Sequence, residues 1–305
     1  MMRARSHFRF CSSFNFVALL VAVLLAPLAA SRADTLYVSD NGAGKIEKYD
    51  LSTGADLGTF ATGLNLATGL AFDSAGNLYA ANSGNNTIEK FTPGGVGSVF
   101  ARTGLNLPMG LAFDSAGNLY AANRGNNTIE KFTPGGTASV FARTGLSAPY
   151  GLAFDSGGNL YAANEGNSTI EKFTPGGVGS VFAATGLSYP FGLAFDSAGN
   201  LYAGNMGNGT IEKFTSGGTA SFFASTTGST SPLGLAFDSA GNLYAAPYPN
   251  YTIEEFTPGG IGSVFASTGS ILPNFLAIEL VPEPSVSALL ALGLTGLLVL
   301  RRRPA

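Results

Sequence analysis

A stretch of about 41 residues recurs along most of this chain, and the recurrence limits the possible folds more than any other feature. The unit GLAFDSAGNLYAANSGNNTIEKFTPGG begins at Gly69 and returns almost unchanged at Gly110, Gly151, Gly192 and Gly234. The spacings between these starts are 41, 41, 41 and 42 residues. Periods of about 40–45 residues that hold several short strands are typical of β-propeller blades.

Each unit contains four short segments with the composition of β-strands: GLAFD, NLYAAN, TIEKFT and SVFA. They are rich in aromatic and branched residues, as strands are. DSAGN separates the first two segments and TPGG the last two, and Asp, Pro and Gly in these places set tight turns. The sequence therefore predicts an all-β fold in which every unit forms one four-stranded antiparallel blade.

The two ends of the repeat array together predict one further blade. Residues 35–61 align with the second, third and fourth strands of the unit but lack a first strand. LPNFLAIE (272–279) aligns with LPMGLAFD (107–114) and supplies it, because Phe275 follows Gly234 by 41 residues. Five complete units and one shared blade predict a six-bladed propeller, closed so that no sheet edge stays open between the first and last blades.

The unit GLAFDSAGNLYAANSGNNTIEKF resembles the NHL repeat, which shares the G-hydrophobic-A-hydrophobic-D and GN-hydrophobic-Y pattern. The resemblance spans residues 35–280 and implies a six-bladed propeller. NHL repeats often carry a basic residue at the position that is threonine here, and RNA-binding members use a positive surface. No nucleic-acid partner is expected, since the positions concerned are Thr87, Thr128, Thr169, Thr210 and Thr252.

The first 33 residues have the pattern of a secretory signal peptide. Arg3, Arg5 and Arg9 precede the apolar run FVALLVAVLLAPLAA, and small residues end the segment at Ala33. The predicted propeller domain is then 34–280. Cys11 and His7 are the only cysteine and histidine of the chain, and both lie in the leader.

The composition of residues 34–280 excludes several kinds of chemistry. Without Cys, His or Trp, this region has no disulfide, thiolate nucleophile, histidine-based zinc site or Ser-His-Asp triad. Of the 16 basic residues, four lie in the leader and three at the C-terminus, and one of the 19 acidic residues is Glu283, so the domain holds 9 against 18. An acidic domain is the opposite of what nucleic-acid binding favours.

Two positions differ in every copy of the unit, and both belong to one face of the predicted propeller. Links between blades and between strands two and three emerge on this face, here called the variable face; the DSAGN and TPGG turns emerge on the other, here called the turn face. Rigid aromatic side chains on such a scaffold suit recognition, including stacking on sugar rings. We predict a ligand-binding rim of Met109, Arg124, Tyr150, Glu165, Phe191, Met206, Leu233 and Tyr248. The alternative is unconstrained divergence of loops, with some aromatics packed between blades.

Charged residues also recur from unit to unit. The Asp that opens each DSAGN turn, with an Asn four residues on, is interpreted as a turn cap because the spacing lacks the dense oxygen ligands of a calcium loop. Glu89-Lys90 and its copies are interpreted as a solvated strand surface with weak ion pairs.

Related six-bladed propellers include lactonases that hold a divalent ion in the channel with Glu, Asn and Asp, and streptogramin-inactivating lyases that rely on His. The domain lacks His, and its near-identical inner strands offer little variety of acidic ligands. No catalytic residue, metal ligand or cofactor is predicted. A lactonase-like hydrolase with a divalent ion in the channel is the alternative.

Residues 281–305, VPEPSVSALLALGLTGLLVLRRRPA, resemble a PEP-CTERM sorting signal. Pro282-Glu283-Pro284 is followed by the apolar segment 285–300 and by Arg301, Arg302 and Arg303. The resemblance implies a Gram-negative bacterium, transient insertion in the inner membrane, processing by an exosortase-type protease and delivery to the cell surface or extracellular matrix. A simple membrane anchor is the alternative. Together these features predict an exported, non-catalytic binding or scaffold module for exopolysaccharide or a surface protein.

Overall fold

The computed structural model describes residues 34–269 and 272–279. They belong to one compact unit that runs from Asp34 to Leu280. The predicted leader (1–33) and the predicted sorting signal (281–305), with its apolar segment 285–300, lie outside the described residues. Among the described residues, no helix has the length and apolar character needed to cross a membrane.

The described residues form six four-stranded antiparallel sheets, each of which is one blade. The shared blade contains β1 (Thr35–Asp40), β2 (Lys45–Asp50), β3 (Asp56–Thr62) and β24 (Pro273–Glu279). The next two blades contain β4 (Ala67–Phe72), β5 (Leu78–Asn82), β6 (Thr87–Phe91) and β7 (Gly97–Ala101), then β8 (Pro108–Phe113), β9 (Leu119–Asn123), β10 (Thr128–Phe132) and β11 (Ala138–Ala142).

The other three blades follow the same order. They contain β12 (Pro149–Phe154), β13 (Leu160–Asn164), β14 (Thr169–Phe173) and β15 (Gly179–Ala183); β16 (Pro190–Phe195), β17 (Leu201–Asn205), β18 (Thr210–Phe214) and β19 (Ala220–Ser225); and β20 (Ser231–Phe237), β21 (Leu243–Tyr248), β22 (Thr252–Phe256) and β23 (Gly262–Ser267). Short 3₁₀ turns cover Glu165–Asn167 and Thr227–Ser229.

The shared blade closes the ring, as the sequence predicts. Its strand order is β24-β1-β2-β3, and β24 pairs antiparallel with β1 from Thr35 opposite Glu279 to Asp40 opposite Pro273. The Tyr37 hydroxyl donates to Glu279 Oε2 at 3.0 Å across this pair. The all-β class, the six blades and the contribution of both ends of the domain to one blade are therefore confirmed.

The core lies between neighbouring blades and is built from the same three aromatic positions at five of the six boundaries; at the sixth, Tyr244 packs against Phe265 and the third position is Ile278. Tyr161 of one blade packs edge-on against Phe182 at 4.9 Å and against Phe195 of the next blade at 5.1 Å. Tyr79, Tyr120 and Tyr202 repeat this arrangement at their own blade boundaries. Edge-to-face pairs contribute about 0.5–1.5 kcal/mol each beyond the area that they bury, so the repeated aromatic residues hold the blades together.

The innermost strand of each complete unit starts earlier than predicted and contains a β-bulge. In β12, Pro149 pairs with Asn164 but Leu152 pairs with Ala162, so two residues oppose one on β13. The extra residue places the variable side chain, here Tyr150, inside the strand at the channel. It also brings the following residue, Gly151, against the next blade. A Cβ on Gly151 would clash with the carbonyl oxygen of Phe191, which explains why this position is glycine in every complete unit.

The interpretation of the Glu-Lys pairs as a solvated surface is wrong for Glu130 and Glu171, which are buried, while Glu89 and Glu212 are half-buried. Side chains alternate across a strand, so Glu171 and Lys172 point to opposite sides. Glu171 is 5% exposed and lies beside Gly145 of the link between blades. Lys172 instead lies 5.2 Å over the Tyr161 ring, close to Asp155 of the turn face.

Candidate functional site

The turn face carries a repeated polar cluster, which we call the turn clamp: the Asp and Asn of DSAGN, the following Tyr and the strand-three Lys. Asp155 Oδ1 accepts from the backbone N–H groups of Gly157 and Asn159 at 2.9 and 2.8 Å. Its Oδ2 accepts from the Asn159 amide at 2.8 Å and from the Tyr161 hydroxyl at 3.2 Å, with Lys172 Nζ at 3.7 Å. The turn-cap interpretation is confirmed.

The hydrogen bonds of the turn clamp also shift the acidity of its aspartate. Burial alone would raise the pKa of Asp155, but the hydrogen bonds from Asn159 and Tyr161 outweigh it, and the pKa is lowered. The same direction holds for Asp73, Asp114 and Asp196. The clamp is thus a satisfied structural motif with its carboxylate ionised.

The last complete unit breaks the clamp, because Glu255 stands where the other units have lysine. The Tyr244 hydroxyl lies 3.1 Å from Glu255 Oε1 and 3.5 Å from Asp238 Oδ2. A hydroxyl has one proton, so it cannot donate to both carboxylates at once. Burial first, and then the two negative charges, raise the pKa of Tyr244 far above its usual range.

On the variable face, the first set of variable side chains forms an inner ring that closes the end of the channel. Met109, Tyr150, Phe191 and Leu233 are all buried and belong to one apolar cluster with Phe275. The Tyr150 ring lies 3.9 Å from the Phe191 ring and stacks on Phe275 at 5.7 Å with an interplanar angle of 7°. These predicted rim residues therefore form a floor.

The second set of variable side chains surrounds this floor at the ends of the second strands. Arg124 Nε donates to Glu165 Oε2 at 2.8 Å, and Arg124 Nη2 donates to Glu165 Oε1 at 3.3 Å, so two neighbouring blades share a bidentate ion pair. Met206 is half-buried against the apolar cluster, and Tyr248 is 44% exposed. One side of the surrounding wall is thus charged, with its two charges paired to each other, and the other side is apolar.

One pocket of about 310 Å³ opens between this wall and the floor. Five of the eight predicted rim residues line it: Tyr150, Phe191, Met206, Leu233 and Tyr248. Arg124, Glu165 and Met109 lie on the same face but do not line it. Its remaining lining residues are Asn41, Gly42, Leu272, Pro273 and Asn274, all from the shared blade or the link that precedes β24.

The polar groups of the pocket centre on Asn274. This residue is 7% exposed, and its Oδ1 has no hydrogen-bond partner. Burial raises the pKa of Tyr150 to about 12, while its contact with the Asn274 side chain acts in the opposite direction. Tyr150 is therefore a neutral hydroxyl at physiological pH, and it lies close to the Asn274 side chain.

Sequence reasoning missed the contribution of the shared blade to this pocket. Phe275 occupies the position that is glycine in every complete unit, and Asn274 is the amide among otherwise mostly apolar inner-ring residues. These two departures from the repeat are visible in the alignment of the units. The signal was present, but only ring closure shows that both residues face Tyr150.

The described residues offer no carboxylate at the inner ring, whose members are Thr68, Met109, Tyr150, Phe191, Leu233 and Asn274. In the part of the chain that the structure describes, no three His, Cys, Asp or Glu side chains are grouped so as to hold a metal ion. The predicted processing residues, Pro282, Glu283 and Pro284 with Arg301, Arg302 and Arg303, lie outside the described residues.

The fold resembles several solved six-bladed propellers. A chain of a nidogen/laminin complex superposes with a TM-score of 0.73 at 22% identity, covering 81% of this chain and 99% of that one. A virginiamycin B lyase from Staphylococcus aureus gives 0.64 at 19% identity, over 80% and 88% of the two chains. A gluconolactonase from Xanthomonas campestris gives 0.62 at 19% identity, over 80% and 86%.

These likenesses support the fold, a six-bladed propeller of four-stranded blades. At this level of sequence identity, the comparisons are evidence for the architecture alone. Neither a protein-family model nor a curated protein sequence matches the chain.

Proposed function

We propose that this protein is an exported propeller of the cell surface or extracellular matrix and that it acts as a non-catalytic binding module for polysaccharide or a surface protein. The observation that carries the binding role is the pocket on the variable face. Side chains that differ in every repeat come together there at a single place, whereas the repeated residues build the blades. Export is supported by the leader-like pattern of residues 1–33 and by the PEP-CTERM-like residues 281–305.

The alternative, a lactonase-like hydrolase with a divalent ion in the channel, is not favoured. Hard divalent ions such as Ca²⁺ prefer carboxylate and carbonyl oxygens. At this end of the channel the inner ring instead presents the side chains of Met109, Tyr150, Phe191 and Leu233. An aromatic and aliphatic floor suits the apolar part of a ligand.

The binding role is tested by co-sedimentation of the full chain with the extracellular polysaccharide of its own host. The variant Tyr248→Ala is compared with Tyr251→Ala, because the two tyrosines are close in sequence and are 44% and 48% exposed, yet only Tyr248 lines the pocket. We expect Tyr248→Ala alone to lose binding. Equal binding by all three proteins would contradict the pocket as the site. A chain that sediments with no polysaccharide and captures no surface protein of the host would contradict the function itself.

Export is tested separately with the full chain in an exosortase-bearing host. Exchange of Glu283 for Ala is expected to leave the protein in the inner membrane fraction, and release of that variant equal to the unchanged chain would contradict the sorting role.

A further inference from the structure

A second pocket lies between the outer strands of two neighbouring blades. It has a volume of about 430 Å³ and opens between β3 of the shared blade and β6 and β7 of the blade that follows. We call it the side pocket, and its walls include Phe60, Thr62, Glu89, Phe91, Ser98 and Val99. It shares no lining residue with the pocket on the variable face. The side pocket is therefore a separate candidate site.

The side chain of Glu89 points into the side pocket. Side chains alternate across a strand, and residues that pair opposite each other share a face of the sheet. Glu89 lies opposite Val99 in the pairing of β6 with β7. Phe91 lies opposite Gly97, two residues further along, and all four residues line the pocket. The pocket therefore lies against the face to which the Glu89 side chain projects.

One oxygen of this carboxylate is open to solvent. Glu89 Oε1 accepts from Asn82 Nδ2 at 3.2 Å. Among the described residues, Oε2 has no hydrogen-bond partner, and it is not one of the buried side-chain atoms that lack one. A ligand in the side pocket can therefore reach Glu89 Oε2.

The side pocket is found where the link between blades is unusually short. Gly69 follows Phe60 by nine residues, whereas the matching separations at the other blade boundaries are ten or eleven. The short link begins FATGL (60–64), and the matching link in front of β16 begins FAATGL (182–187). One residue is thus missing from the segment that passes beside the strand-three glutamate.

In the other units the matching glutamate is more closely enclosed. The carboxylate of Glu171 lies against Gly145 of the preceding link, and Asn164 Nδ2 donates to the Gly145 carbonyl oxygen at 2.8 Å. In the first complete unit, a Cβ on the matching Gly63 would meet no atom within 4 Å, and the matching Asn82 donates to the glutamate instead. The remaining strand-three glutamates also have close contacts: Glu130 with Gly104, Glu212 with Gly186, Glu254 with the Thr227 N–H and Glu47 with Lys45. The shorter link thus leaves the Glu89 carboxylate uncovered.

The polar groups of the side pocket favour an ammonium ion. A guanidinium binds best to both oxygens of a carboxylate, but Glu89 Oε1 already accepts from Asn82. An ammonium group is a compact charge with three N–H donors, and the exposed hydroxyl groups of Thr62 and Ser98 offer further acceptors. A divalent metal ion needs more oxygen ligands, and in the described part of the chain no three acidic side chains are grouped to supply them.

The rest of the side pocket suits the carbon skeleton of a small cation. Phe60 and the 41% exposed Val99 provide apolar surface beside the carboxylate. Among the described residues that line the pocket, Glu89 is the only charged one. Lys48 lies over the Phe60 ring at 5.8 Å but does not line the pocket. A volume of about 430 Å³ falls in the range of about 300–1,000 Å³ that is usual for small-molecule sites.

We infer that the side pocket binds a small organic cation through a primary ammonium group. The N–H groups of the ammonium donate to Glu89 Oε2 and to the hydroxyl groups of Thr62 and Ser98, and the carbon skeleton lies against Phe60 and Val99. An aliphatic amine and an amino sugar both carry this group, and the experiment tells them apart. The inference goes beyond the proposed function, because it uses none of the residues of the variable-face pocket.

The valines of the outer strands report on the site directly. Val99 lines the side pocket, and Val181 occupies the matching position in the unit whose Glu171 is covered. The full chain is labelled with ¹³C-methyl valine, and substitution of each valine by isoleucine assigns the two signals. Glucosamine, n-butylamine and glucose are titrated at about pH 6, where the amines are protonated. We expect a saturable shift at Val99 from an amine, a much smaller change at Val181 and no saturable shift from glucose. Saturation by both amines identifies the ammonium group as sufficient, and saturation by glucosamine alone identifies an amino sugar.

Three variants test the carboxylate and the short link. Glu89→Gln should weaken amine binding about tenfold or more. Glu212→Gln is the matched control, because Glu212 is also half-buried but lies beside its link at Gly186, and it should bind as the unchanged chain does. Insertion of one alanine between Ala61 and Thr62 recreates the FAATGL link. It should abolish amine binding without lowering the thermal midpoint, since this link length is native at another boundary.

The outcomes are separable from those of the proposed function. Equal shifts at Val99 with glucose and glucosamine would overturn the ammonium assignment, as would undiminished binding in Glu89→Gln or no saturable shift from either amine. Tyr248→Ala should bind the amine as the unchanged chain does. If no amine binds while the chain still co-sediments with polysaccharide or captures a surface protein through Tyr248, this inference fails and the proposed function stands.

Discussion

The two faces of the propeller are built from the same repeats, but one face repeats the same side chains and the other face varies them. On the turn face, four units carry the same turn clamp, and its hydrogen bonds stay within one blade. On the variable face, the side chains differ in every unit and contact one another across blades, as Arg124 does with Glu165 and Tyr150 with Phe275. Six identical units would repeat any pocket that lies off the propeller axis six times. A single pocket lined by only some of the blades therefore requires that the repeat be broken on this face.

The largest effect that separates the faces should be on stability. Asp155→Ala removes the acceptor of the turn clamp and leaves the Tyr161 hydroxyl and two turn N–H groups without it. We expect the free energy of unfolding to fall by about 3 kcal/mol. Glu165→Ala on the variable face is the matched control and should cost about 0.5 kcal/mol, since its ion pair is partly exposed. Urea unfolding measures both, and equal losses would break the comparison.

The broken clamp of the last complete unit offers the reverse experiment. Glu255→Lys would place a cation beside Asp238 and over the Tyr244 ring, as lysine lies in the other units. We expect a gain of about 1 kcal/mol in the free energy of unfolding. Lys172→Glu should produce a loss of similar size. A variant Glu255→Lys that is less stable than the unchanged chain would show that the clamp does not act as a unit.

The two faces should also respond to pH with opposite signs. Burial raises the pKa of Glu171 above 4.5, so the native state binds its proton more tightly than the unfolded state does. Its contribution to stability is complete below about pH 4.5 and is lost as the pH rises through the raised pKa. We expect Glu171→Gln to raise the thermal midpoint by about 2 °C at pH 7 and to have no effect at pH 4.

Asp155 provides the opposite sign for this comparison. Its pKa is lowered below 3.8, so its contribution is present above that pH and is lost as the pH falls through the lowered value. Asp155→Asn should therefore lower the thermal midpoint at pH 7 more than at pH 2. Thermal unfolding of both variants across this range is the measurement, and slopes of the same sign would refute the assignment.

The smallest expected effect on stability belongs to the wall of the pocket. Tyr248→Ala removes a side chain that is 44% exposed, and such surface changes usually lie within about 0.5 kcal/mol. The same variant is expected to lose ligand binding. Unfolding and binding measured on one preparation test this separation. A loss of stability as large as that of Asp155→Ala would mean that the variable face also holds the ring together.

The sequence predicted what is local and periodic. Strand composition and the DSAGN and TPGG turns recur every 41 or 42 residues, and they were enough for the blades, their number and the blade shared by the two ends. The β-bulge at Tyr150 was not predicted, because an extra residue in a strand leaves no mark in a pattern of short apolar runs. Without it, the inner ring was expected as a rim, and the structure places it as a floor.

The burial of Glu171 was missed for a related reason. A charged residue in a short strand is usually solvated. Nothing within one unit shows that the link between blades that precedes β12, at Gly145, covers the Glu171 side chain. The contacts of Asn274 and Phe275 with Tyr150 depend on ring closure, which brings together residues that are far apart in the chain. Prediction of the pocket thus required both the differences between units and the ring closure that brings the differing residues together.

Ring closure also fixes the direction in which the pocket is displayed. In the shared blade, Thr35 pairs with Glu279, whereas Asp40 pairs with Pro273 at the other end of the same two strands. The pocket is lined from the Asp40 end, by Asn41 and Asn274. The chain therefore enters and leaves the propeller at the turn face. A tether attached through either residue 34 or residue 279 holds the domain by the same side and leaves the pocket pointing away from the point of attachment.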